Sequence, residues 1–495
     1  MSVLALIIFL AFVIVAAQAA NIQFFRAGAL DASPLNPRFS QSSITEPRGE
    51  IVAADGTILA RSESIGGGQS LYQRVYPLGD LTAGLVGFDS PSYGTWALEA
   101  QYNSYLTAHA QSPQNFAQVL APTSAADNVT LTLQPSLERV AQRALAGRDG
   151  GAVVLDPRNG NILAMYSNPT YNPEPFTSFN FKTAEAAWKK GITNNAHGFP
   201  PLGLVATQQT FPPGSTFKIV TTSAVVIYKP QLLNKVYPAL TTTPLPNTTK
   251  TLSNYAFERC GGTIAQMLPP SCDTGYALVG LDLGGIDLAA TANSFGYNEV
   301  PPIDLPGIAR SYFPSGSSFT YNQPQLAYSA IGQENVRTSV LMNALVAGAV
   351  GNGGVMMTPH LMSYVTGPDG SIVKRYTPTV WKTPLSAIQA AQIVPLMVNV
   401  ARFGTAAGVF PPADDVAAKT GTSQVGNGVQ NTDDWMIAFA PASHPTIAVA
   451  VVMPFQVTAA TGASVAGPIM RCLVEGALAL QAGMPASGTP TTCAS

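Results

Sequence analysis

The stretch Trp435-Met-Ile-Ala-Phe-Ala-Pro-Ala-Ser-His-Pro-Thr-Ile-Ala-Val-Ala-Val-Val-Met453 decides the fold. Its two apolar runs, Trp435 to Ala440 and Thr446 to Met453, flank Pro441-Ala-Ser-His444 and read as paired strands. A matching pair lies far upstream, Gly151 to Asp156 and Asn161 to Tyr166, across the type I turn signal Pro157-Arg-Asn-Gly160. Helices accompany both pairs. Pro135 opens one over 136–145, with Leu137, Val140, Ala141, Ala144 and Leu145 on one face, and Ala466 to Ala482 closes the chain. Between them Ser339 to Val350 is a long apolar helix that stops at Gly351-Asn-Gly-Gly354. A sheet built from both ends of the chain with helices against it is an α+β arrangement, an antiparallel sheet flanked by helices.

Composition removes several function classes. The 495 residues allow two to four domains of about 100–200 residues, and 46% apolar content excludes wholesale disorder. A net charge of -2 leaves no basic excess for a phosphate backbone, so a nucleic-acid protein is not expected. Charged residues are 11% of the chain, against about 25% usually, which favours a turn-rich, polar but uncharged surface. The cysteines Cys260, Cys272, Cys472 and Cys493 form no CxxC pair, so neither a zinc cage nor a disulfide scaffold is encoded. Cys260 and Cys272 are near enough in sequence to bridge, which spacing alone leaves open. His109, His197, His360 and His444 are scattered without HExxH spacing, and no GxSxG elbow occurs. No metal or cofactor is expected.

The chain divides at its compositional breaks. Residues 1–20 hold only Ser2 and Gln18 outside the apolar set and approach the length of a membrane span, with a cleaved signal ending near Ala17-Gln18-Ala19 as the alternative. Either way the remainder is exported, and no second span is expected downstream. A linker over 30–48 leads into a hairpin from Arg48 to Ala60 around Asp55-Gly56, inside a small stem of residues 21–122. Ala121 to Asp127 reads as a second linker, 129–485 as the main domain and 486–495 as a tail.

The chemistry sits in the main domain. Pro212-Pro-Gly-Ser-Thr-Phe-Lys218 precedes a buried helix, placing Ser215 in its first turn and Lys218 on the same face three residues on. Unpaired backbone N–H groups of that turn point toward developing negative charge, which an activated serine nucleophile requires. Ser371-Ile-Val-Lys374 has the same letters but follows a turn and reads as strand, where i and i+3 point to opposite faces. Lys419-Thr-Gly-Thr422 precedes the terminal strands: Lys419 can hold a carboxylate, Thr420 and Thr422 offer hydroxyls, and Gly421 lets a ligand backbone approach. The Thr422 N–H could complete an oxyanion hole with that of Ser215.

With these motifs, residues 129–485 resemble the penicillin-binding protein transpeptidases, the S-x-x-K, S-x-N, K-T-G enzymes. The likeness also rests on Gly150-Gly-Ala-Val-Val-Leu-Asp-Pro157, Tyr171-Asn-Pro173, Ile331-Gly-Gln333 and Asn352-Gly-Gly354. Arg48-Gly-Glu-Ile51 and Tyr93-Gly-Thr-Trp-Ala-Leu-Glu99 resemble the stem of monofunctional class B members, in particular the short-stemmed, penicillin-binding-protein-A-like branch. The departure is the second motif, Ser271-Cys-Asp273 where the family has S-x-N; Ser178-Phe-Asn180 matches the letters but precedes the nucleophile. The resemblance implies a single-pass membrane enzyme with an extracytoplasmic D,D-transpeptidase domain. Ser215 is the implied nucleophile, Lys218 the base and Ser271 the proton relay, with Asp273 beside Lys218, and Lys419, Thr420 and Thr422 hold the terminal carboxylate. Its implied partners are D-Ala-D-Ala stem peptides of peptidoglycan, β-lactams and a membrane glycosyltransferase of the cell-wall machinery. Two rivals are a β-lactamase or carboxypeptidase, disfavoured because no E-x-x-L-N segment lies between Ser271 and Lys419, and a catalytically degraded scaffold, for which Asp273 argues.

Overall fold

The computed structural model describes residues 9–15, 18, 44–66, 71–110, 124–425, 431–457 and 460–486. The 30–43 part of the first linker, the start of the second linker and nearly all of the tail lie outside the described residues.

Five strands form the central sheet, in the order Ile162–Asn168, Gly150–Leu155, Ile447–Val457, Asn431–Ala440, Ala417–Val425, all antiparallel. Two of its pairs are the strand pairs expected from the sequence. Their apolar runs are continuous because helices cover both faces. Val340–Gly351 packs on one face and is buried all round, which fits a helix without a polar side. Gly462–Gln481, with Pro135–Leu145 beside it, packs on the other. Gly462–Gln481 is also long and apolar enough to cross a bilayer, where the sequence reading counts no second span; half of it is buried inside the fold. At the other end, residues 9–15 are helical with exposed side chains.

A second sheet of six strands runs Ile372–Arg375, Met362–Thr366, Asn128–Leu131, Ile51–Val52, Ile58–Ser64, Tyr72–Val75. Its three N-terminal strands come from the expected stem, and a hairpin far along the chain supplies its other edge. Asn128–Leu131 joins them, parallel to Ile51–Val52 and antiparallel to Met362–Thr366. Tyr102 donates to Asp304, whose carboxylate also accepts from the N–H groups of Leu361 and Met362.

Beneath this sheet Glu99, fully buried, accepts from Arg48 at 2.9 Å and from Arg74 at 2.6 Å, while Asp89 stands 3.6 Å from Arg48. Burial alone would raise the Glu99 carboxyl, but the two guanidiniums outweigh it and hold it below its ordinary value. Arg48, where the linker passes into the hairpin, therefore belongs to a packed core.

Candidate active site

Residues Gly214–Phe217 form a 3₁₀ turn that runs directly into the helix Lys218–Tyr228. Ser215 thus stands in the turn before the α-helix proper. Both the turn and the helix are buried, and the turn is pinned from behind: Pro212 accepts at its carbonyl from Ser423 Oγ at 2.7 Å and Trp435 Nε1 at 2.9 Å. Asn343 Nδ2 donates to Thr216 Oγ1 at 3.2 Å.

The Lys419-Thr-Gly-Thr422 segment lies on the edge strand Ala417–Val425, against this turn. A Cβ on Gly421 would come within 2.7 Å of the Pro213 carbonyl oxygen and 3.0 Å of Thr216 Cγ2. The space that glycine leaves open is therefore filled by the turn carrying Ser215, and not by a ligand backbone as the sequence reading supposes.

Ser271 and Asp273 come from the start of the helix Asp273–Leu283 and complete the cluster. Lys218 Nζ donates to the Ser271 carbonyl at 2.6 Å and to Asp273 Oδ1 at 2.7 Å, with Ser271 Oγ at 3.3 Å. Lys419 Nζ donates to Ser271 Oγ at 2.8 Å and to the Thr420 carbonyl at 2.9 Å. Ser215 Oγ donates to Asp273 Oδ1 at 3.5 Å, a long contact. The carboxylate thus stands between nucleophile and lysine. Of the two hydroxyls beyond Lys419, Thr420 Oγ1 pairs with Thr405 Oγ1 at 2.5 Å, and Thr422 Oγ1 accepts from the Gly462 N–H at 3.1 Å.

Both ammonium groups are fully buried. Burial lowers the Lys218 pKa, and this outweighs the upward pull of Asp273. Lys419 stands well below its ordinary value, from burial first and the Lys218 charge second. Two buried amines thus share one carboxylate, and burial favours the neutral form of each.

Ser271 holds its place in the left-handed region, at φ 62°, a conformation that costs a non-glycine residue on the order of 1–3 kcal/mol. Cys272, the next residue, is joined to Cys260 by a disulfide, so the pairing that spacing left open is made. Asn254 adds a second tether, accepting from the Thr274 N–H at 2.9 Å.

The competing motifs lie elsewhere. Asn180 caps the helix Phe181–Ile192 through Lys182 N, with Ser178 Oγ accepting from Asn180 N, and Ser371 bonds Asp369 ahead of an exposed strand. A cavity of about 890 Å³ lies between Asp80, Tyr171 and the helix Phe181–Ile192, and contains none of these site residues. Sequence reasoning misses Asn343, Thr405 and Gly462. Asn343 alone carries a signal, as the single amide in an otherwise apolar helix.

A family model described as penicillin binding protein transpeptidase domain matches residues 150–475, and one described as penicillin binding protein A dimerisation domain matches 48–128. The chain is 34% identical over 490 residues to the peptidoglycan D,D-transpeptidase PbpA of Mycolicibacterium smegmatis, covering 94% of this chain and 96% of that protein. It is 32% identical to the PbpA of Mycobacterium tuberculosis, over 92% of this chain and 94% of that one. Among solved structures, penicillin-binding protein A from M. tuberculosis matches with TM-score 0.77 at 31% identity, covering 88% of this chain and 100% of that one. Its penicillin G acyl-enzyme complex matches with TM-score 0.78 at 31% identity, over the same shares of the two chains. This chain belongs to the penicillin-binding protein transpeptidase family.

Proposed function

We propose that Ser215, Lys218, Ser271, Asp273, Lys419, Thr420 and Thr422 work as one acyl-transfer site. The chain is a peptidoglycan D,D-transpeptidase that cross-links stem peptides through a serine acyl-enzyme, and β-lactams capture the same serine. The observation that carries the residue roles is the convergence of three separate segments on Ser271, whose Oγ lies 3.3 Å from Lys218 Nζ and 2.8 Å from Lys419 Nζ.

Ser215 attacks the penultimate D-Ala carbonyl and forms the ester while the C–N bond to the terminal D-Ala breaks. Neutral Lys218 takes the hydroxyl proton, and Ser271 passes a proton toward the leaving amine. An amine of a second stem then displaces Ser215 and forms the cross-link. Lys419, with Thr420 and Thr422, holds the terminal carboxylate. The N–H groups of Ser215 and Thr422 hold the oxyanion.

A second reading is favoured by one contact: the hydrogen bond from Ser215 Oγ goes to Asp273 Oδ1. In that reading Asp273 receives the serine proton and Lys218 only balances its charge.

Residues 1–20 act as a single membrane anchor, 21–122 as the stem and 129–485 as the extracytoplasmic transpeptidase domain, with 486–495 as a tail. A membrane glycosyltransferase supplies the strands to be joined. Support for the anchor is the apolar run before Asn21, interrupted only at Ser2 and Gln18.

Purified protein treated with penicillin G should gain one penicilloyl group on Ser215, located by peptide mass spectrometry, and Ser215→Ala should gain none. An adduct on Ser371, or none on the native chain, would sink the assignment. Turnover of the drug within seconds would favour the β-lactamase rival.

A further inference from the structure

Behind the edge strand lies a carboxyl group that the acyl-transfer scheme does not use. Asp434 is directly opposite Thr422 in the strand pair, so the two side chains share a face at a Cβ separation of about 5 Å. Asp434 is fully buried, and its Oδ1 has no hydrogen-bond partner among the described residues. Its Oδ2 accepts from Thr432 at a long 3.5 Å. A buried carboxyl with an unsatisfied oxygen is costly, and a role in the site it adjoins would account for its retention. On its other side, the Thr422 oxygen already accepts from the Gly462 N–H at 3.1 Å. The hydroxyl therefore has a single proton to give, with Asp434 and a ligand carboxylate as rival acceptors.

We propose that Asp434 is a positioning residue for the carboxylate-holding edge: by accepting or releasing the Thr422 hydroxyl proton, it decides whether that hydroxyl can donate to the substrate's terminal carboxylate. This rests on the assignment of Thr422 as a carboxylate holder. Burial pushes the Asp434 carboxyl up to about 6, against the neighbouring Thr422 and Thr432 hydroxyls that hold it down. Ionised, it keeps the Thr422 proton. Protonated, it yields that proton to the ligand.

The surroundings supply no countercharge. Met453, opposite Asp434 on the strand Ile447–Val457, is apolar, and Lys419 lies on the other face of its strand by alternation. The adjacent Asp433 is itself pushed to about 7 by burial and by the Asp434 charge, with the Phe455 N–H bond and Arg337 pulling it down, so it titrates nearby and needs its own control. Affinity for a carboxylate ligand should thus rise as pH falls through about 6, while the chemical step, which needs neutral Lys218, moves in the opposite direction.

The test separates the two terms. Stopped-flow acylation by penicillin G, run to saturation between about pH 5 and about pH 8, yields the dissociation constant and the first-order acylation rate independently. In the native protein the dissociation constant should fall about tenfold toward low pH, the worth of one charge-assisted hydrogen bond. In Asp434→Asn it should be flat, with the pH profile of the acylation rate unchanged; Asp433→Asn should keep the step. A step that persists in Asp434→Asn, or vanishes only in Asp433→Asn, overturns the proposal. Thr422→Val bears on the underlying assignment: it should weaken binding and remove the step. If it leaves the dissociation constant as in the native protein at every pH, Thr422 is not a carboxylate holder. Equal penicilloyl stoichiometry and melting temperature of each variant show that it is folded.

Discussion

The chain buries two clusters of charge, one under the stem sheet and one in the cleft, and they differ by a single carboxylate. Under the stem, Arg48 and Arg74 face Glu99 and Asp89, so charges balance, and the pairing holds the Glu99 carboxyl below its ordinary value and Arg48 above its own. In the cleft, Lys218 and Lys419 face Asp273 alone, and both lysines are driven toward neutrality. A balanced buried cluster fixes a structure, whereas one short of a negative charge is poised to lose a proton or to take in an anion. In the proposed scheme that anion is the terminal carboxylate of the stem peptide, and the substrate would then complete the balance that the stem achieves by itself.

The sharpest way to break this contrast is to remove one member from each cluster. Lys218→Ala should slow penicillin acylation by roughly 10² to 10⁴-fold with a smaller loss of stability than at Glu99, because the Asp273 carboxylate it leaves unpaired is partly exposed. Glu99→Ala should do the reverse. It strands two buried guanidiniums and should cost about 3–5 kcal/mol of stability, seen by calorimetry or denaturant titration, while the folded fraction acylates at the native rate. Comparable losses of rate from both variants would show that the clusters are not independent.

A smaller effect is expected at Asp273. Its charge pulls the Lys218 pKa up against burial, so Asp273→Asn should shift the ascending limb of the acylation profile to lower pH. Near neutrality the rate should rise about tenfold for each unit of that shift. A large loss of rate instead would make Asp273 the proton acceptor, as its contact with Ser215 suggests.

The smallest effect concerns a buried carboxyl with no counter-charge. Glu138 is fully buried, accepts from the Met165 N–H at 2.6 Å, and burial raises it to about 8 from 4.5, so it is held neutral. An acid raised in the folded state contributes stability below its unfolded value and loses it as pH climbs toward the folded one. Glu138→Gln keeps the acceptor and removes the proton. It should leave stability near pH 4.5 unchanged and raise the melting temperature by a few degrees near pH 8. An unchanged pH slope of stability would show that Glu138 is ionised in the fold.

The strand pairs of the central sheet were legible because a sheet covered on both faces writes itself as apolar runs, as from Trp435 to Ala440. The Ser215 turn was legible for a local reason: prolines, glycine and an apolar helix fix it within a few residues. What escaped depends on distant contacts. Nothing near Gly421 announces that the Pro213 carbonyl occupies its open side, and nothing near Asp434 announces Thr422, since strand register joins them. The burial of Arg48 escaped because its partners Glu99 and Asp89 lie far along the chain. Asp273 could be found by its place after Ser271, but its pairing with Lys218 and Ser215 needed coordinates.

The sheet that takes three strands from the N-terminal region and a hairpin at Met362–Arg375 limits how such chains can diversify. A stem exchanged between relatives with Asn128–Leu131 as its last strand would set that strand against a foreign hairpin, with mismatched side chains. Inheritance of the stem is therefore tied to a second patch of gene, distant in sequence, and the two regions that look like interchangeable modules must change together.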